Sequence, residues 1–220
     1  MSDIRYWTAL KIIDAMMRDR GYESDTGDLS IDTIESFRRT HMSDNAIDYE
    51  TLEFDFHNDK GDLTYVRFID PNDKPKGKKA TSADVKFIAD LTDMPEQNKT
   101  GIFVIDQNLT PGQKDHLNTK YTFDIQVFHI DELQYNPMTH MFAPKIVVLS
   151  KEKQDNFFRK YGKLVPRNRL PQLADTDELA RYYNLKPGQL IRVFFNSLMS
   201  ETFGNVNLEY YMVEEDPSSK

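Results

Sequence analysis

Apolar side chains recur at Ile4, Trp7, Leu10, Ile13 and Met17, with Ala9, Ile12 and Met16 widening the stripe. Steps of three and four residues predict an α-helix with one face turned inward. Gly21, after Asp19-Arg20, is placed to end it in the left-handed region. A second helix is expected with Ser30 as its cap and Ile31, Ile34 and Phe37 on its inner side. The period then changes. Leu52, Phe54 and Phe56 alternate with Glu53 and Asp55, which is the two-residue period of a half-buried strand. Asn58-Asp59-Lys60-Gly61 reads as a turn, and residues 64–69 pair back as a hairpin. Beyond a polar loop at 70–79, Thr81 or Ser82 opens a helix with Val85, Ile88 and Ala89 inward, ending before Pro95. Residues 101–106 form a short apolar run, expected as a buried strand. Thr110-Pro111-Gly112-Gln113 follows it: Thr at the cap, Pro at the first helical position and Gln three after the cap predict a helix from Pro111. Phe123, Ile125 and Val127 alternate as another strand. This succession of helices and strands predicts an α/β domain.

The character of the chain changes around Asn136-Pro137 and Ala143-Pro144, which divides it into 1–140 and 141–220. In the second part, 146–149 is expected as a strand, and Ser150 caps a helix carrying Phe157, Phe158 and Tyr161, closed by Gly162. Asp175 or Thr176 starts a short helix reaching Tyr183, with Asn184 as its left-handed end. Pro187-Gly188 has the order a type II turn needs. It feeds a strand over 190–195, and 206–213 forms a last strand with alternate residues inward. The expectation is a small α+β domain with a short mixed sheet.

The remaining numbers narrow the function. At 220 residues, with 14 Phe and 11 Tyr, the chain has the aromatic content of a globular protein and the length for one large domain or two small ones. No apolar run approaches the roughly 18 residues of a membrane span. Met1-Ser2-Asp3-Ile4-Arg5 has no basic stretch followed by an apolar one, so no secretory signal is expected. With no cysteine, thiolate metal sites, disulfides and cysteine nucleophiles are excluded. A soluble, intracellular protein is expected. The net charge of −8 is unevenly spread. Residues 1–140 hold 16 Lys and Arg against 26 Asp and Glu, or −10, whereas 145–192 hold 11 against 5, or +6. Two units with different partners are implied, and a generally basic nucleic-acid binder is not.

Motifs for chemistry are few. No glycine-rich phosphate loop and no Gly-x-Ser-x-Gly elbow occurs. His41, His57, His116, His129 and His140 show no ligand spacing and are expected at the surface or at edges. Glu53, Asp55 and Asp62 near the hairpin are the nearest approach to a nuclease-like set, more simply read as the outer face of a strand. No catalytic residue, metal or cofactor is expected. Lys74, Lys76, Lys78 and Lys79 make a basic loop tempered by Asp70 and Asp73. The helix start at Thr110, Pro111, Gly112 and Gln113, with Lys114 and Lys120 beside it, offers free backbone N–H groups to one DNA phosphate.

A likeness to a known family rests on particular residues. They are Leu170-Pro171-Gln172-Leu173, Asp177, Ala180-Arg181-Tyr182-Tyr183, Lys186-Pro187-Gly188-Gln189-Leu190, Ser200-Glu201-Thr202, Gly204 and Tyr210. Tyr6-Trp7, Arg18-Asp19-Arg20-Gly21-Tyr22 and Leu109-Thr110-Pro111 extend it over nearly the whole chain. These resemble the fifth subunit shared by eukaryotic nuclear RNA polymerases I, II and III, whose C-terminal half is similar to a small subunit of the archaeal RNA polymerase. The chain departs from that pattern at Gln172, Glu178, Asn184, Phe203 and Tyr211, and two family arginine positions hold Gln172 and Tyr211. Such departures suit a divergent member, cellular or from a large DNA virus.

The resemblance implies a non-catalytic polymerase subunit. Its C-terminal assembly domain would dock on the largest subunit, with Leu170, Pro171, Asp177, Arg181, Tyr182 and Gly188 at the partner face. Its N-terminal domain would be part of a jaw around downstream duplex DNA, touched weakly and without sequence preference. Neither a membrane nor a small-molecule substrate is implied. A nuclease-like DNA-processing protein and a free-standing adaptor are the alternatives.

Overall fold

The computed structural model describes residues 2–24, 29, 31–70, 100–107, 124–140, 143–195 and 207–216. The chain has mixed α/β content and divides into two units, Met1–Tyr135 and Asn136–Lys220.

In the first unit, α1 (Ser2–Asp19) buries Tyr6, Ala9, Leu10, Ile12, Ile13, Met16 and Met17. The expected stripe is shifted by one position at its start. Ile4 is 51% exposed, and Tyr6 takes the inner place, its hydroxyl 2.8 Å from that of Tyr49. Trp7 is half-buried and donates its indole N–H to the Ile31 carbonyl at 2.8 Å. Gly21 ends the helix at φ +83°, and its N–H donates to the Arg18 carbonyl.

Strand β1 (Tyr22–Ser24) follows, then α2 (Ile34–His41). The cap of α2 is Thr33, whose hydroxyl accepts from the Ser36 N–H at 3.1 Å, so the helix starts later than a Ser30 cap would place it. Ser30 itself lies outside the described residues, and Ile31 precedes the helix. β2 (Met42–Ser43) and β3 (Ala46–Ile47) make a small hairpin through Asp44 and Asn45, both at positive φ.

The main sheet adds β4 (Glu53–Asn58), β5 (Leu63–Phe68), β6 (Thr100–Ile105) and β7 (Asp124–His129) in the order β1-β4-β5-β6-β7. The β1–β4 and β4–β5 pairs are antiparallel; β5–β6 and β6–β7 are parallel. β6 lies between two parallel neighbours and is buried from Gly101 to Ile105, which is why it reads as a continuous apolar run. β7 is an edge strand of the described sheet. Ile125 and Val127 are therefore only half-buried, and Phe128, on the other face, is the buried residue. The helices expected near Thr81 and from Pro111 lie outside the described residues.

In the second unit, β8 (Lys145–Val148), β10 (Leu190–Phe195), β11 (Asn207–Glu214) and β9 (Gln172–Ala174) form a mixed sheet in that order. The first two pairings are antiparallel and β11–β9 is parallel. The sheet is covered on both faces, because successive strand residues point to opposite sides. One face carries Ile146, Ile191, Val193 and Val213 with Ala180 and Leu185. The other carries Leu149, Leu170, Leu190 and Met212 against Phe157, Phe158, Val165 and Tyr210. Met212 and Val213 are thus both buried, so β11 does not keep the simple inward alternation expected of it.

Helix α3 (Lys151–Tyr161) has Ser150 as its cap, accepting from the Lys153 N–H, as its sequence predicts. Helix α4 (Glu178–Tyr182) is capped by Asp177 rather than Asp175 or Thr176. Asp175 is bound instead to the end of β11, its N–H donating to the Glu214 carbonyl at 2.9 Å. Asn184 ends α4 at φ +52°; its N–H bonds the Arg181 carbonyl and the Leu185 N–H bonds that of Ala180, the paired pattern of a Schellman end.

Candidate partner interface

The six residues singled out for a partner face divide into distinct roles. Leu170 and Tyr182 are buried inside the second unit, where their side chains pack in its core. Tyr182 stacks edge-on against Tyr183, with centroids 5.2 Å apart. Asp177 is the α4 cap, its Oδ1 accepting from the Leu179 N–H at 2.9 Å. Gly188 is an exposed turn residue at φ +86°, where a side chain would be strained. Pro171 is exposed at the head of β9, an edge strand of the described sheet, where a missing N–H is tolerated. Its carbonyl accepts from the Met212 N–H at 2.9 Å. Arg181 stands half-buried in the last turn of α4. Pro171, Asp177 and Arg181, with the exposed Gln172, are the candidates whose side chains reach the surface.

Thr110, Pro111, Gly112, Gln113, Lys114 and Lys120 lie outside the described residues, as does the lysine loop at 74–79. Among the described residues no group of three or more His, Asp or Glu is arranged to hold a metal ion. Glu53 accepts from the Tyr65 hydroxyl and from Arg67 Nε, both at 2.8 Å, and so ties β4 to β5. Asp62 accepts from the Asn58 side chain across the hairpin turn. These two carboxylates have structural partners. His41, expected at a surface or edge, is buried; Nε2 lies 3.1 Å from the Leu29 carbonyl and Nδ1 3.0 Å from the Thr51 hydroxyl. No periodicity marks that burial, since its partners sit 10 and 12 residues away.

Charges are paired differently in the two units. In the first, Arg5 meets Asp106 at 3.1 Å and Asp131 at 2.6 Å, joining α1 to the ends of β6 and β7. Arg38 meets Asp3 at 2.6 Å, and that hydrogen bond holds the Asp3 carboxyl below its usual range. Arg18 meets Asp14 at 2.9 Å, yet burial still raises the Asp14 pKa. In the second unit, none of Lys151, Lys153, Arg159, Lys160, Lys163, Arg167 and Arg169 forms an ion pair among the described residues. Beneath them lies a ring cluster. Phe157 is 5.3 Å from Phe158, 5.3 Å from Tyr161 and 4.6 Å from Tyr210, centroid to centroid. The sequence run Phe157-Phe158-Arg159-Lys160-Tyr161 was the available signal for it.

Residues 135–208 match the family described as RNA polymerase Rpb5, C-terminal domain. The chain resembles RNA polymerase subunit 5. The matched stretch falls almost wholly in the second unit and includes α3, α4 and the turn at Gly188. Similarity to named relatives runs further. The "DNA-directed RNA polymerases IV and V subunit 5B" of Arabidopsis thaliana is 24% identical over 199 residues, covering 90% of this chain and 86% of that protein. The "DNA-directed RNA polymerases I, II, and III subunit RPABC1" of Caenorhabditis briggsae is 28% identical over 199 residues, covering 86% of this chain and 88% of its own. "DNA-directed RNA polymerase V subunit 5A" of Arabidopsis thaliana is 23% identical over 198 residues, at 90% and 85% coverage.

Proposed function

We propose that this protein is a non-catalytic subunit of a DNA-directed RNA polymerase and acts in transcription within a multisubunit complex. The observation that carries the reading is the Rpb5 C-terminal domain match over 135–208, joined to subunit-5 relatives that cover 86–90% of the chain. The second unit is the assembly domain and docks on the largest subunit. Arg181, Pro171 and Gln172 face the partner, and Leu170, Tyr182, Asp177 and Gly188 hold that face in shape. The first unit forms part of the jaw, where the amides at Thr110–Gln113 with Lys114 and Lys120 touch a phosphate of downstream duplex. The protein works where its polymerase works: the nucleus for a cellular member, the virion or a cytoplasmic replication site for a member from a large DNA virus.

Affinity purification of the tagged chain from its native source, followed by mass spectrometry, tests this. The expected result is co-elution of the large polymerase subunits in stoichiometric amounts. A chain that purifies alone at every salt concentration would instead be an adaptor without a polymerase.

A further inference from the structure

From residue 156 to residue 174 the chain carries five cations (Arg159, Lys160, Lys163, Arg167 and Arg169) and no carboxylate. All five are exposed, and none is ion-paired among the described residues. Two of them lie against rings. The Arg167 guanidinium carbon is 4.5 Å from the centroid of Phe158, and Lys160 Nζ is 5.0 Å from that of Tyr161. Tyr161 is 40% exposed, and Leu164, one turn on, is 77% exposed, with its N–H bonded to the Tyr161 carbonyl. The Tyr161 ring is braced from within by Phe157, which itself leans on Tyr210.

We propose that this surface, formed by the end of α3 and residues 162–169, binds single-stranded nucleic acid. Cations alone would suit any polyanion. The partly exposed Tyr161 ring, with Lys160 Nζ over it, and the Arg167 guanidinium over the Phe158 ring offer two planar groups on which unpaired bases stack. A duplex keeps its base faces stacked inside and cannot use them. An acidic peptide has the charge but no flat face to place on Tyr161 or Arg167. Lys160, Lys163 and Arg169 then neutralise the flanking phosphates, and Leu164 covers the edge of a stacked base. RNA and DNA share this chemistry. The proposal does not rest on the polymerase reading, because the isolated chain should show the binding.

The test is fluorescence anisotropy of the full chain with labelled dodecamers of uridine and of thymidine, with a matching duplex and polyglutamate as competitors. A dissociation constant on the order of 10⁻⁵ M is expected, falling off with salt by about 0.7 in slope per phosphate contact. Tyr161→Leu keeps an apolar contact on Phe157 and should weaken both dodecamers several-fold without changing the salt slope. Lys160→Glu and Lys163→Glu, at exposed positions, should weaken both about tenfold and flatten the slope, with unchanged circular dichroism. Binding of either dodecamer supports the proposal, and the tighter one names the strand. Competition by polyglutamate equal to that of the dodecamers would make this an acidic-protein face and overturn it. So would duplex binding as tight as single-strand binding, or a Tyr161→Leu chain that binds unchanged.

Discussion

The Gly188 N–H donates to the Val213 carbonyl at 2.8 Å, so a tight turn is fastened to the far end of the last strand. The Val213 N–H returns a bond to the Gln189 carbonyl at 2.9 Å, and the Gln189 N–H closes the turn on the Lys186 carbonyl at 3.1 Å. Pro187 at the second position and Gly188 at φ +86° complete a type II turn. Val at this position would need positive φ in a β-branched residue. Gly188→Val should therefore cost about 1–3 kcal/mol of stability, read as a lower midpoint in urea. An unchanged midpoint would mean that the turn tolerates another geometry.

Arg181 lies in the last turn of α4, whose inner residues Ala180 and Tyr182 are buried. Reversing its charge leaves those two in place, although a carboxylate at a helix C-terminus is mildly unfavourable. Arg181→Glu should keep the fold but weaken association with the largest polymerase subunit by about 2–5 kcal/mol, if a desolvated charge-assisted contact is lost. Co-expression pull-down against the wild type reads this, and equal recovery would place the partner face elsewhere.

Asp14 is buried in α1, and burial raises its pKa despite Arg18 at 2.9 Å. A carboxyl with its folded-state pKa above the unfolded one binds its proton more tightly when folded. Its contribution to stability is greatest below the unfolded pKa and is lost as pH rises through the folded value. Asp14→Asn keeps an acceptor for Arg18 and removes the titration. The stability of the variant relative to wild type should therefore improve between pH 4 and pH 7, measured by urea midpoints across that range. A difference that does not change with pH would show that Arg18 fully offsets the burial.

Duplex affinity comes mainly from phosphate neutralisation, with roughly 0.9 added to the salt slope for each contact. A 1–140 part at −10 can supply few such contacts. The isolated protein should bind duplex DNA no tighter than about micromolar at physiological salt and without sequence preference. Within an assembled polymerase, where other subunits hold the duplex, Lys114→Glu should weaken the grip on downstream DNA and leave assembly intact. Duplex binding by the free chain tighter than about micromolar at physiological salt, seen in a gel-shift titration, would sink the jaw reading.

Much of this fold was legible because its signals are local. The period of α1 beyond its first turn, the end at Gly21, the Ser150 cap, the Asn184 helix end and the Pro187-Gly188 turn each depend on residues within about one helical turn, and each stands where the sequence placed it. The β4–β5 hairpin was readable for the same reason, since its two strands face each other across Asn58-Asp59-Lys60-Gly61.

The short strands β1 and β9 were not legible. Three residues carry no period, and each becomes a strand only by pairing with β4 or β11, 32 to 40 residues away. The same distance dependence governs burial. Leu170 and Tyr182 look like surface members of a partner motif, and His41 looks like a polar side chain at a helix end. All three are inside because other segments close over them. The sequence by itself determined which helices and turns could form, because capping and φ preferences act along the chain. Only the tertiary structure decided which side chains remain for a partner, because burial is set by elements that meet from far apart in sequence.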